Sequence, residues 1–204
     1  KDDQRVSKAV HTSIFIGVAG GVLLAVLGLF CSKILLEMMS TPEDIIDLSK
    51  LYMQIYFLGS ICLLVYNFGS AVLRSKGDTK KPLYFLMISG VINVVLNLFF
   101  VIVCHMSVAG VALATVISEG ISAILVIITL AREQDATKLE LKKLRLDRHI
   151  AMEIMRIGIP AGIQGMVFSI SNVVIQSSIN SFGSSSIVAG NSAGSNIEGF
   201  VYIG

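Results

Sequence analysis

Long apolar stretches separated by short polar breaks make up most of the chain. Five of them reach the length of about 20 helical residues that crosses a ~30 Å hydrocarbon core, and they cover residues 11–31, 51–73, 83–104, 108–131 and 154–179. None has the strict alternation of a barrel strand, and a sixth stretch begins near Ile187. Because only helices and closed barrels satisfy every backbone group in lipid, the pattern predicts an all-α, polytopic transmembrane helical bundle.

Composition and charge placement agree with this prediction. The chain is 54% hydrophobic and 15% charged, whereas a soluble domain is about 25% charged. Fourteen of the 16 basic residues precede the first run, lie between the second and third, or lie at the break between the fourth and fifth. These alternating breaks share one side of the membrane, and short cytoplasmic loops collect Lys and Arg. The sequence therefore predicts a multi-pass protein of the cytoplasmic membrane, with these three regions in the cytoplasm.

The longest polar break, residues 132–153, is a charged stretch rather than a tight turn. Leu141, Leu144, Ile150 and Ile154 in and beside it are spaced as on one face of an amphipathic helix. We interpret this stretch as a surface connector between two helical bundles.

The sequence does not indicate covalent chemistry. Its three cysteines, Cys31, Cys62 and Cys104, lie in different runs without CxxC spacing, which predicts free thiols and no metal site. Residues 190–194 match the GxSxG nucleophile elbow, but no His follows them, as such an enzyme requires. The basic residues are nearly balanced by acids and flank membrane runs, so we expect no nucleic-acid partner. We predict that the protein is not an enzyme and has no cofactor.

Four ordered motifs resemble the multidrug and toxic compound extrusion (MATE) family. They are LRSKGDTKKP at residues 73–82, INVVLN at 92–97, GVALATVIS at 110–118 and IGIPAGIQ at 157–164. The family fold has twelve helices in two six-helix lobes. The resemblance implies that residues 1–131 hold helices three to six of the N-lobe, that 132–153 join the lobes, and that 154–204 hold helix seven and the beginning of helix eight of the C-lobe. On this interpretation the chain is a fragment, truncated at both ends.

The resemblance also implies a function. It indicates a secondary active transporter, monomeric at full length, that exports drugs or organic cations across the lipid bilayer in exchange for H⁺ or Na⁺ by alternating access. Two other classes stay open: a flippase for lipid-linked saccharides from the same superfamily, and a channel or non-transporting membrane scaffold. A flippase is expected to have a strongly cationic cavity, whereas the basic residues here lie in loops. The antiporter is therefore favoured.

Asn93 and Asn97 are candidates for cation coupling, because polar groups inside a spanning helix cost several kcal/mol unless they face a partner or a water-filled cavity. They lie four residues apart on one helix face, where they can bind a cation or join two helices through amide hydrogen bonds. The resemblance, to the branch related to DNA-damage-inducible protein F, places Asn93 and Thr115 in the family's N-lobe cation site. Asn97 stands where that site has an Asp, which leaves the titratable step to a helix-one Asp outside this chain.

Glu119 completes the predicted cation- or proton-coupling set of Asn93, Asn97, Thr115 and Glu119. It is the only acid well inside a run and lies one helical turn after Thr115, on the same face. Such a carboxylate can bind and release a proton during a transport cycle, or it can pair with the amides of a neighbouring helix.

The fifth run carries the candidate substrate cleft. Ser169, Asn172 and Gln176 recur at i, i+3 and i+7, and Gln164 precedes them. This is the pattern of a helix that lines a cleft, or of a polar packing seam.

Three further features concern packing and motion. Tyr66 is either an anchor at the membrane interface or a contact for an aromatic drug. Pro160 lies near the predicted beginning of its helix, where it is a first-turn residue or a hinge. Glycine pairs at 17 and 21, 158 and 162, and 190 and 194 predict close helix approach.

Overall fold

The computed structural model describes the backbone of residues 2–203 and the side chains of residues 3–197. This backbone is helical and contains no strand within the described residues. The helices are α1 (Asp2–Met38), α2 (Ile46–Ser75), α3 (Lys80–Leu98), α4 (Val108–Arg132), α5 (Arg148–Asn180) and α6 (Ser185–Ile203), and a π-helical segment, Phe99–Val103, continues α3. By length and composition, five of these helices can cross a membrane. The predicted all-α transmembrane bundle is confirmed.

The fifth helix begins earlier than its apolar run. α5 begins at Arg148, six residues before the predicted run, because the Asp147 side chain caps it. The Asp147 carboxylate accepts hydrogen bonds from the backbone N–H groups of His149 (3.1 Å) and Ile150 (3.3 Å), which satisfies donors that a helix N-terminus leaves unpaired. Hydrophobicity marks only the part of this helix suited to lipid, whereas the cap determines where it begins.

The connector covers residues 133–147, between α4 and α5, and the amphipathic helix predicted within it is wrong. A single 3₁₀ turn, Leu141–Lys143, is the only helical element there. Backbone N–H groups of the connector bond instead to α4 and α1. Leu139 N–H donates to the Leu130 carbonyl on α4 (2.9 Å), and Glu140 N–H donates to His11 Nε2 on α1 (3.1 Å). Of the four residues that suggested this helix, Leu141 is exposed and Leu144 packs partly buried against the core, while Ile150 and Ile154 belong to α5.

The first four helices pack in the spatial order α1, α2, α4, α3. Small residues allow close contact: a Cβ on Gly28 would overlap the Phe57 ring, and the Ser60 hydroxyl donates to the Gly21 carbonyl at 3.0 Å. Close approach at glycines 17 and 21 is therefore confirmed. At the pairs 158 and 162 and 190 and 194, no atom of the described chain lies within 4 Å of an added Cβ, so close approach at these glycines stays a prediction.

Ion pairs show that the three basic regions lie at one end of the bundle. Arg5 near the start of α1 pairs with Glu153 near the start of α5 (2.8 Å), and Lys76 in the α2–α3 turn pairs with Glu133 in the connector (2.6 Å). At the opposite end, the Asn180 amide donates to the Met39 carbonyl (2.9 Å). The predicted alternation of loops is confirmed, and we call the end with these ion pairs the basic end.

α5 contacts α1 near its beginning and the segment that follows α1 near its end. Between the pairing of Glu153 with Arg5 and that of Asn180 with Met39, residues 155–175 are exposed on every side. α6 packs against α5. The hydrophobic core lies instead within α1, α2 and α4 near the basic end, around Ile14, Leu73 and Val126.

Candidate functional site

A polar cluster joins α3 to α4 within their apolar stretches. The Asn93 amide nitrogen donates to the hydroxyls of Thr115 (3.4 Å) and Ser118 (3.2 Å). On the same α3 face, the Asn97 amide nitrogen donates to the Asn93 side-chain oxygen (3.1 Å) and the Asn93 backbone carbonyl (3.0 Å). The structure thus brings together Asn93, Asn97 and Thr115, which the sequence pattern and the family resemblance singled out.

Sequence reasoning missed two serines that complete this cluster. Ser118 is buried, and its hydroxyl donates to the Thr115 backbone carbonyl (2.8 Å) while it accepts from Asn93. Ser89, also buried, donates to the Ser118 backbone carbonyl (2.8 Å). The available signal was the spacing: 89, 93 and 97 fall four apart on α3, and 115 and 118 share one face of α4.

The cluster is neutral and rich in oxygen. Its side-chain oxygens belong to two amides and three hydroxyls, which are hard donors of the kind that bind alkali and alkaline-earth cations. Amide and hydroxyl groups also hydrogen-bond to an organic cation. Within the described residues no group of His, Cys, Asp and Glu side chains is placed to hold a metal ion. The arrangement can therefore bind a cation weakly, or serve as a hydrogen-bonded seam between helices.

Glu119 lies one turn beyond Thr115 on the inner side of α4 and is half-buried. Its neighbour Gly120 faces α2, since a Cβ there would lie 3.8 Å from Cys62 Sγ. The Glu119 carboxylate makes no hydrogen bond or ion pair with any side chain of residues 3–197. Within that part of the chain, the amide pairing considered for it from the sequence does not occur.

The candidate cleft residues do not join this cluster. Gln164, Ser169 and Asn172 lie on the exposed part of α5, whereas the Gln176 amide donates to the Asn180 side chain (2.9 Å) at the end of that helix. The described chain therefore leaves three of these four polar groups on an open helix surface.

Tyr66 and Pro160 have surroundings that the sequence did not define. Tyr66 is buried, with 7% of its surface exposed, and its hydroxyl donates to the Pro82 carbonyl (3.0 Å), so in this structure it fastens α2 to α3 rather than facing a cleft. Pro160 lies twelve residues after Arg148, inside α5. The first-turn interpretation is wrong because the Asp147 cap extends the helix backwards, and a proline at an interior position removes one backbone hydrogen bond.

An ionic cluster closes the basic end between the α2–α3 turn and the connector. Lys76 Nζ lies 2.6 Å from Glu133 and 2.7 Å from Asp135, and Lys81 Nζ lies 3.4 Å from Glu133. The hydrogen bond from Lys76 holds the pKa of Glu133 below its ordinary 4.5 and the pKa of Asp135 below its ordinary 3.8. The turn motif at residues 73–82 therefore stabilises the contact between α2, α3 and the connector.

Comparisons with known proteins agree with this architecture. The MatE family model matches residues 1–99. The probable multidrug resistance protein YpnP of Bacillus subtilis is 35% identical over 90% of this chain and 41% of its own length, and YoeA, another probable multidrug resistance protein of B. subtilis, is 30% identical over 93% and 42%. The chain thus spans about two fifths of the length of these curated relatives.

A solved structure shares the fold at lower sequence identity. It is the outward-facing conformation of a multidrug resistance MATE family transporter, which superposes with a TM-score of 0.72 at 20% identity over 82% of this chain and 40% of that one. In this chain the INVVLN motif at residues 92–97 lies on α3, and its Asn93 amide reaches Thr115 on α4. The sequence matches and the shared fold show that this chain belongs to the multidrug and toxic compound extrusion (MATE) family.

Proposed function

We propose that the full-length protein is a secondary active transporter of the cytoplasmic membrane that exports drugs or organic cations in exchange for H⁺ or Na⁺ by alternating access. The observation that carries this proposal is the polar cluster of Asn93, Asn97, Thr115 and Ser118 inside two membrane-spanning helices. One turn away lies Glu119, whose carboxylate has no hydrogen-bond or ion-pair partner among the side chains of residues 3–197. The relatives support it, since YpnP and YoeA are named as probable multidrug resistance proteins.

In the proposed cycle, Glu119 and the cluster have different roles. A half-buried carboxylate without a partner is costly when ionised, so it gains most from taking up a proton or lying beside a cation. The neutral oxygens of Asn97, Thr115 and Ser118 then orient the ion or the substrate. Ligand binding at this position is coupled to opening of the contact between α3 and α4, because the ligand would replace hydrogen bonds that join these two helices.

Export by purified full-length protein in lipid vesicles tests this proposal. A fluorescent organic cation such as ethidium is followed while a proton or a sodium gradient is imposed separately. We expect one gradient to drive export and Glu119→Gln to lower it without reducing the yield of folded protein. Glu37→Gln is the control, because Glu37 is an exposed acid near the end of α1 away from the basic end, where it pairs with Lys33.

A second pair of variants tests the cluster. Asn93→Ala removes the central amide, but the Thr115 and Ser118 hydroxyls keep their own backbone acceptors, Val111 and Thr115. Folding should therefore survive while export falls. Asn67→Ala is matched to it, because the exposed Asn67 amide bonds only to its own helix.

Three results would contradict the proposal. They are export that follows neither gradient, unchanged export in both Glu119→Gln and Asn93→Ala, and translocation of a labelled lipid-linked saccharide in place of the cation. The last result identifies a flippase and the first a channel, whereas a scaffold would show no export at all.

A further inference from the structure

A pocket of about 390 Å³ lies at the basic end, between the start of α1 and the connector. Its lining residues come from the start of α1 and from the connector, and they are Ser7, Lys8, His11, Lys143, Arg145, Leu146 and Asp147. None of them belongs to the cluster between α3 and α4, and the transport mechanism proposed above does not use them.

The wall that the connector contributes is held in place by two buried side chains of α1. Glu140 N–H donates to His11 Nε2 (3.1 Å), which makes that nitrogen an acceptor, so the hydrogen of the ring lies on Nδ1 and is donated to the Ser7 carbonyl (2.7 Å). Asp147 N–H donates to the Thr12 hydroxyl (3.1 Å). The backbone on both sides of Lys143 and Arg145 is therefore fixed against α1.

Arg145 is the basic group of this pocket that has no acid. Lys8 pairs with Asp147 (3.1 Å) and Lys143 with Glu140 (2.9 Å), whereas the Arg145 guanidinium makes no ion pair or hydrogen bond with the side chains described. A guanidinium offers a planar fork of donors that matches two oxygens of a phosphate. The guanidinium of Arg145 is therefore the group of this pocket suited to bind an anion, because the charges of Lys8 and Lys143 are offset by their acidic partners.

An exposed leucine, Leu146, lines the pocket beside this charge, at the level where α1 enters the membrane. His11 and Thr12 begin the first apolar run, so the pocket opens at the boundary between lipid and water. Leu146 in its wall is 47% exposed and Leu141 in the 3₁₀ turn is 60% exposed. Basic pockets at this depth bind the headgroups of anionic lipids, and adjacent apolar side chains lie against the acyl chains.

From this geometry we propose that the pocket binds the phosphate of an anionic phospholipid headgroup, with Arg145 as its main ligand and Leu146 against the acyl chain. Lys8 and Lys143 offset the charges of Asp147 and Glu140, which would otherwise repel the phosphate. The lipid then holds the connector and α1 at the membrane surface.

The test compares lipids and variants in the purified full-length protein. Binding of phosphatidylglycerol and of phosphatidylcholine is measured by native mass spectrometry after release from mixed micelles. We expect preference for phosphatidylglycerol, and Arg145→Gln should reduce it roughly fivefold, the effect of about one charge near a membrane surface. Lys33→Gln is the control, because Lys33 is an exposed lysine at the opposite end of α1.

Two further arms separate the lipid from a free anion. Leu146→Ser should weaken phosphatidylglycerol binding without removing a charge, and millimolar inorganic phosphate should not displace the lipid. Equal losses in Arg145→Gln and Lys33→Gln would show a general charge effect and overturn the proposal. Displacement by inorganic phosphate, or unchanged binding in both Arg145→Gln and Leu146→Ser, would overturn it as well. Circular dichroism confirms that each variant is folded.

Discussion

The hydroxyl of Thr12 makes the attachment of the connector directly testable. Thr12 is fully buried, and its Oγ1 accepts from Asp147 N–H (3.1 Å) and donates to the Arg145 carbonyl (3.4 Å). Thr12→Val keeps the shape of the side chain and removes the hydroxyl, which leaves a part-buried N–H without an acceptor. Such an unsatisfied donor costs about 1–3 kcal/mol.

Hydrogen exchange at Asp147 measures this cost locally. We expect the Asp147 amide to exchange roughly 5- to 160-fold faster in Thr12→Val, which is the same free energy expressed as an opening equilibrium. Amides in the middle of α2 and α4 should keep their protection, because the hydroxyl bonds only to the connector.

Thr12→Ser is the matched control. Serine keeps the hydroxyl and loses one methyl group, which costs about 0.8 kcal/mol of burial but leaves the acceptor for Asp147 N–H. The amide should stay protected in Thr12→Ser even if the melting temperature falls. Equal acceleration in both variants would show that packing of the methyl holds the connector, and no acceleration in Thr12→Val would refute the role of the hydroxyl.

Two other variants test packing and charge. Gly69→Ala should lower stability by about 1–3 kcal/mol in thermal unfolding, because the added Cβ would overlap Val126 Cγ1, whereas Gly90→Ala, with nothing within 4 Å, should be neutral or stabilising. Lys76→Gln should remove a stabilisation that is present above the ordinary pKa of Glu133, 4.5, and is lost as the pH falls through the lower folded value. The wild type should thus unfold at a higher temperature than Lys76→Gln at pH 7 and at the same temperature in strong acid; a constant difference at all pH values would contradict this.

The spanning helices were predictable because lipid leaves the backbone few choices. Each apolar run became a helix, and the alternation of basic loops gave the correct grouping of their ends. The connector was not predictable in this way. Its leucines have helical spacing, but His11 and Thr12, more than 120 residues earlier, provide the acceptors that its backbone uses instead. Long-range hydrogen bonds of this kind leave no periodic signal.

At the candidate site, the spacing of polar residues predicted which side chains share a helix face, but not what those side chains contact on other helices. The pair Asn93 and Asn97 could be placed on one face from the sequence, and the family resemblance supplied Thr115. Tyr66 was ambiguous because an aromatic ring with a hydroxyl suits both an interface and a core. The Pro82 carbonyl that binds its hydroxyl lies on α3, and only the packing of α2 against that helix reveals it.

Glu119 differs from the other polar groups of α3 and α4 in what its burial costs. Asn93, Thr115 and Ser118 satisfy one another, so a purely structural seam accounts for their presence. The Glu119 carboxylate has no such compensation among residues 3–197, and an uncompensated carboxylate in an apolar helix is expensive. A glutamine or leucine at position 119 would pack against the neighbouring helix as well as the glutamate does. In the proposed cycle a bound proton or cation offsets this cost, so substitution of Glu119 tests the proposed transport site more directly than substitution of the amides around it.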